Sequence, residues 1–187
     1  TAMDYAIDMA KKTGIAAVGV TNSSHFGPAG AYTLYAAKRN MIALAFCNSD
    51  SFVRLYDGAE RFHGTNPISM AVPTGGSDPW LFDMATSSVP FNRVELYRSL
   101  NQKLPSDVAS DVSGNSTEDP HIAEMLDPLG AKFGFKGAGL GGVSEILSAV
   151  LTGMKLSPEL LPMSGPDMTT PRELGAFVIA IDPDGFI

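Results

Sequence analysis

The sequence predicts an α/β layered fold, and three observations carry that prediction. Five apolar runs, IAAVGV (15–20), MIALAFC (41–47), PISMAVP (67–73), WLFDMA (80–85) and AFVIAID (176–182), are bounded by turn residues and are short enough to be strands. Segments with helical spacing of apolar residues lie between them. Such alternation along one chain packs helices onto a sheet.

Taken in order, Met3, Ala6, Ile7 and Ala10 fall on one helical face, and Gly14 stands where a C-terminal cap belongs. IAAVGV then reads as a buried strand, and TNSSHFG as a loop. Pro28 suits the first turn of a helix running to about Arg39. MIALAFC is a second buried strand, followed by a loop at NSDS. TGGSDP, between PISMAVP and WLFDMA, is a strong turn signal. A helix is expected over Pro90 to Leu100, and an exposed Ser-, Asp- and Gly-rich loop over 105–120. Leu140, Val143, Leu147, Val150 and Leu151 form the clearest helical stripe, ending at Gly153.

The chain of 187 residues fits one domain, with 44% hydrophobic and 18% charged residues, as globular proteins have. A net charge of −7 argues against nucleic acid and anionic membrane surfaces as partners. No apolar run approaches the roughly 20 residues that span a bilayer, and no signal-peptide pattern opens the chain. The single cysteine, Cys47, excludes an internal disulfide framework and fits a reducing, cytoplasmic compartment; its apolar surroundings predict a buried, inert thiol. No His/Cys/Asp cluster has metal-ligand spacing, so no metal is predicted, and no G-x-S-x-G motif supports a serine nucleophile. The chain opens inside a helical pattern with no cap before Met3 and closes straight after an apparent strand. It is therefore expected to be a piece of a longer protein.

Residues 137–142, GAGLGG, satisfy G-x-G-x-x-G. A Rossmann fingerprint must follow a strand directly, whereas DPLGAKFGF makes a poor strand. What remains is a Gly-rich turn carrying Lys136 and opening a helix, either an anion site or close helix packing against small residues.

Four segments, GIAAVGVTNSSHFGPAGAY (14–32), GTNPISMAVP (64–73), LFDMATS (81–87) and FGFKGAGLGGVSEILSAVLTG (133–153), together resemble the malate/L-lactate dehydrogenase family that is distinct from the Rossmann lactate dehydrogenases. Its members include ureidoglycolate, sulfolactate and diketogulonate enzymes and a cyclic imino-acid reductase. The resemblance implies an α/β domain with a layered mixed sheet and packed helices that binds NAD or NADP in a non-Rossmann way. It implies a homodimer, and a separate helical N-terminal segment, outside these residues, carrying a further histidine and an arginine. Residues 1–187 would then be a single cofactor-binding domain.

Oxidising a 2-hydroxy acid removes a hydroxyl proton while hydride leaves the same carbon, and the reverse reaction needs a proton donor. Histidine suits both directions, with an ordinary pKa of about 6.5. The substrate carboxylate calls for a cation, usually an arginine fork. His25, in a loop straight after a strand, is the candidate catalytic residue; whether it or the histidine of the other segment delivers the proton stays open. The resemblance places Ser49 and Asp50 at the cofactor, although Asn, Ser and Asp also make turns by default. It places Asp83, Met84 and Ala85 at a cofactor-contacting strand end, where Asp83 either accepts from a ribose or serves a turn. Lys136 and Gly137 match a lysine-glycine pair, the ammonium anchoring a phosphate. Thr65 and Asn66 are expected at the substrate, ordering the loop beside the nicotinamide. His63 reads as packing or surface and His121 as exposed.

Two departures stand out. PLGAKFGFKGAGL is about three residues longer than the family pattern, so Lys132 competes with Lys136. SSVPFNRVELYR lacks the usual small residues before a G-K pair, leaving Arg93 as a stand-in. They leave NAD versus NADP and the substrate open, and they are the motive for an alternative: a binding or structural module that has lost its chemistry.

Overall fold

The computed structural model describes residues 1–186. The chain begins with helix α1 (Ala2–Thr13), strand β1 (Ile15–Ser23), helix α2 (Ala29–Ala37) and strand β2 (Ile42–Cys47). Two short strands, β3 (Val53–Arg54) and β4 (Arg61–His63), precede the hairpin of β5 (Ile68–Val72) and β6 (Trp80–Met84). Helix α3 (Phe91–Ser99), strands β7 (Ala109–Ser110) and β8 (Met125–Leu126), helix α4 (Phe135–Glu145) and strand β9 (Leu174–Ile181) complete the order.

The large sheet runs β1-β9-β2-β5-β6 and is antiparallel throughout. The last strand therefore inserts between the first two, pairing Val18 with Val178 and Ala45 with Val178. Mixed strand direction belongs to the small sheet β4-β3-β8-β7, where β3 and β8 are parallel. Its β7 lies inside the segment expected to be a plain loop.

Helices cover both faces of the large sheet at its central strands β2 and β9, which read as continuous apolar runs rather than as alternation, whereas the edge strands β1 and β6 keep exposed residues. On one face Met3, Ala6, Ile7 and Ala10 of α1 and Ala29 and Ala36 of α2 pack against Ala43, Ala45, Val178 and Ala180. Contrary to the expectation of an uncapped start, Thr1 caps α1: its hydroxyl accepts from the Asp4 N–H at 3.3 Å, and the Asp4 carboxylate bonds back.

On the other face lies α4, continued by one stretch of π-helix, Ile146–Val150. Here the expected core stripe is corrected. Leu140, Val143, Val150 and Leu151 are exposed, and the buried side is Gly137, Gly141, Ser144, Glu145, Ser148 and Ala149. The small residues let the helix lie directly on the sheet edge: the Ser144 hydroxyl donates to the Cys47 carbonyl at 3.0 Å, and Gly175 faces the Ser148 carbonyl. The glycines of GAGLGG lie inside α4, behind a 3-10 turn (Ala131–Phe133), rather than in a turn after a strand. Gly137 is packed against Leu129, where a Cβ would sit 2.2 Å from a backbone oxygen. That is close packing, and the Rossmann geometry is absent.

Candidate active site

Antiparallel pairing brings the ends of β1 and β2 together with the starts of β5 and β9, since Ser23 pairs with Leu174 and Phe46 with Ile68. A cavity of about 560 Å³ opens there. That is an ordinary size for a small-molecule or cofactor pocket. His25, Ser49, Asp50 and Thr65 are among its polar residues, and Phe26, Phe52, Pro67 and Phe91 among its apolar ones. Phe26 belongs to the segment that carries the resemblance, whereas the sequence offered no motif for Phe52 and Phe91, which come from a loop and a helix start.

His25 is held by local geometry. The Gly27 N–H donates to His25 Nδ1 at 3.0 Å, with Gly27 at φ 75, a left-handed conformation that favours glycine. The neutral ring therefore carries its proton on Nε2. The following turn is tied to α2 by the Tyr32 hydroxyl, which donates to the Phe26 carbonyl at 2.8 Å, and by stacking of the two rings.

Ser49 and Thr65 form one unit. The Thr65 N–H donates to Ser49 Oγ at 3.1 Å, and the Ser49 N–H donates to Asn66 Oδ1 at 3.3 Å. Gly64 is required beside them, because a Cβ there would meet Ser49 Oγ at 2.2 Å. Asp50 is buried and accepts from the Met163 N–H at 2.9 Å, joining the 162–172 loop to the cavity.

Asn66, expected with Thr65 to order this loop, is not among the residues that line the cavity. Its side chain is fully buried, and Nδ2 donates to Glu145 Oε2 at 2.6 Å and to the Gly141 carbonyl at 3.2 Å. It orders the loop and leaves no donor for a ligand. His63 is buried beside it, its Nδ1 3.4 Å from Glu145 Oε2, so of its two expected places the packed one holds. Burial pushes the Glu145 carboxyl up, but hydrogen bonds from His63, Ser157 and Asn66 outweigh it and hold the group below the usual 4.5.

Asp83, Met84, Ala85, Lys136 and Gly137 do not line the cavity. Asp83 also supports the fold: its Oδ2 accepts from the Gly30 N–H at 2.7 Å and replaces the side-chain cap that Pro28 cannot supply to α2. Met84 pairs with Ile68 at the same end of the sheet, and Lys136 is exposed. Cys47 is buried at the cavity wall, its thiol pushed up to about 12 by burial first and by Asp83 second. No lysine or arginine lines the cavity among the described residues, whereas Asp50 and Glu95 both do.

An α/β domain that ends its sheet on such a cavity, histidine and hydroxyls facing aromatic rings, belongs to the class of small-molecule and cofactor-binding domains. The chain is a member of the malate/L-lactate dehydrogenase family, whose model matches residues 1–187. It is 43% identical over 159 residues to malate dehydrogenase from Pyrococcus abyssi, covering 81% of this chain and 44% of that protein. It is 34% identical over 184 residues to the NAD(+)-dependent ureidoglycolate dehydrogenase of Escherichia coli O157:H7, covering 98% and 52%. Among solved structures, the sulfolactate dehydrogenase of Methanocaldococcus jannaschii superposes with a TM-score of 0.89 at 31% identity, covering 100% of this chain and 53% of that one. The chain thus spans about half the length of the curated relatives it matches.

Proposed function

We propose that these residues are the cofactor-binding domain of a dehydrogenase that transfers hydride between NAD or NADP and a small 2-hydroxy or 2-oxo acid. The observation that carries the reading is the placement of His25 beside Ser49 and Thr65 at one cavity. Relatives named for malate, ureidoglycolate and NADP(+)-dependent (2R)-3-sulfolactate oxidation support it. The apolar residues and hydroxyls of the cavity fit the flat nicotinamide end. Ser49, Asp50 and Thr65 would hold that end, with Lys136 as a phosphate anchor and Asp83, Met84, Ala85 and Gly137 as the supporting strand end and helix start. When bound, the nicotinamide supplies the hydride acceptor or donor.

His25 acts on the substrate oxygen. As the Nε2–H tautomer it donates a hydrogen bond to a 2-oxo carbonyl, polarising it. To accept a hydroxyl proton on Nε2 in the oxidative direction, the ring must first carry its proton on Nδ1, and the Gly27 bond must open. Among the described residues two carboxylates and no lysine or arginine line the cavity, which supports a cation for the substrate carboxylate from the separate helical segment that the family resemblance implies. The relatives are named as dehydrogenases, which favours this reading over the alternative of an inactive module.

The full-length protein is expected to oxidise NADH or NADPH with at least one small 2-oxo acid, followed by nicotinamide absorbance. Silence across a panel of such acids with both cofactors sinks the reading. Lys136→Ala is expected to raise the cofactor KM about tenfold, the ~1.5 kcal/mol of a charged hydrogen bond, with kcat little changed; an unaltered KM removes the lysine from the site. The exposed stripe of Val143, Ile146, Val150 and Leu151 supports a homodimer contact. Sedimentation of Ile146→Glu should then show monomer where the parent is dimeric, and equal masses would discard that contact.

A further inference from the structure

Glu145 ends α4 with a carboxylate that the proposed chemistry does not use, only 7% exposed at its side chain. Four donors surround it. Oε1 accepts from the Ser157 N–H at 2.6 Å; Oε2 accepts from Asn66 Nδ2 at 2.6 Å, from the Ser157 hydroxyl at 2.7 Å and, at 3.4 Å, from His63 Nδ1. A buried carboxylate without such partners is strongly penalised, so this arrangement holds an ionised group in place.

We propose that Glu145 is a positioning residue for the cavity, acting through the side-chain amide of Asn66 on Ser49 and Thr65. The physical reason is the one-way chemistry of a carboxylate, which only accepts. Together with the Gly141 carbonyl, a second acceptor at 3.2 Å, it turns the Asn66 NH2 inward and so turns its oxygen toward the Ser49 N–H. Ser49 in turn holds the Thr65 N–H on its hydroxyl. Asn66 also sits at φ 34, a conformation unusual for a side-chain-bearing residue, which surrounding bonds must maintain. One buried charge thereby sets the polarity of a chain of hydrogen bonds that ends on two cavity residues. With glutamine at 145 the neighbour can donate or accept, the longer Gly141 bond alone favours the native orientation, and an Asn66 amide that turns over would set its NH2 against the Ser49 N–H.

The proposal rests on the dehydrogenase reading for its kinetic consequences, but not for its structural ones. The test uses the full-length protein as Glu145→Gln, Asn66→Gly and the double variant, glycine being chosen because it tolerates the positive φ. In the cofactor-free protein, amide hydrogen exchange at Ser49 and Thr65 is expected to quicken about tenfold or more in each single variant. With cofactor and substrate, kcat should fall about tenfold in each, and the double variant should be no worse than the worse single one, as for residues acting in series. Unchanged exchange at both amides in folded Glu145→Gln, or losses that multiply in the double variant, overturns the proposal. Should Glu145→Gln show no melting transition, Asn66→Gly decides alone by the same exchange measurement. A parent protein silent with every 2-oxo acid removes the functional reading, while the exchange result still judges Glu145.

Discussion

His25→Ala should lower kcat of the full-length protein by about 10²- to 10⁴-fold, the span that a positioned proton-transfer or hydrogen-bonding group contributes. The cofactor KM should move by no more than about threefold, because an interaction made with the reacting oxygen lowers kcat rather than ground-state binding. His25 stands on a turn shaped by Gly27 and pinned to α2 by Tyr32, so truncating it leaves the turn's other bonds in place. His25→Gln is the sharper comparison. Its amide retains an N–H donor but cannot carry a proton, so it should retain more reductive activity than alanine. Steady-state rates in both directions measure this. A fall of less than about threefold for His25→Ala would leave proton handling to another group and reduce His25 to a wall residue.

Gly175→Ala should destabilise the domain by about 3 kcal/mol or more, a fall in melting temperature on the order of 10 °C. The added Cβ would lie 1.6 Å from the Ser148 carbonyl oxygen and 2.7 Å from its carbon. Both are backbone atoms, so either the π-helical stretch or β9 must shift, and β9 is the strand that joins β1 to β2. Gly175 is not at positive φ, so the effect isolates space from backbone conformation. Gly139→Ala is the counterpart: nothing lies within 4 Å of its Cβ position, and alanine within α4 should stabilise by about 0.5–1 kcal/mol. Thermal melts of the two variants should therefore move in opposite directions. A Gly175→Ala protein melting with the parent would mean that the helix does not lie on β9 as described.

The large strands and the first three helices were legible because their signals are local: apolar runs between turn residues, and caps such as Gly14. The stripe of α4 misled for a physical reason. Helical periodicity reports which residues share a face, and the core ordinarily takes the apolar one; here close approach to the sheet selects the small and polar face instead. His63 and Asn66 could not be placed from the sequence, because their meaning depends on Glu145, about 80 residues away. Glu145 itself carried a faint sign, a lone acid in the apolar run GVSEILSAV. Asp83 matched a motif, yet its bond to Gly30 N–H spans 53 residues and belongs to no local pattern.

By itself, then, the amino-acid order determined the α/β layering, the exclusion of a Rossmann turn at GAGLGG, and the family that the segments 14–32, 64–73, 81–87 and 133–153 resemble. Only the tertiary structure decided that β9 lies between β1 and β2, which face of α4 is buried, and that His25, Ser49, Asp50 and Thr65 share a cavity while Asn66 stands behind it. The division follows the range of the forces involved. Strand, helix and turn preferences act over a few neighbouring residues, whereas buried hydrogen bonds and close packing are satisfied between segments that meet only when the chain has folded.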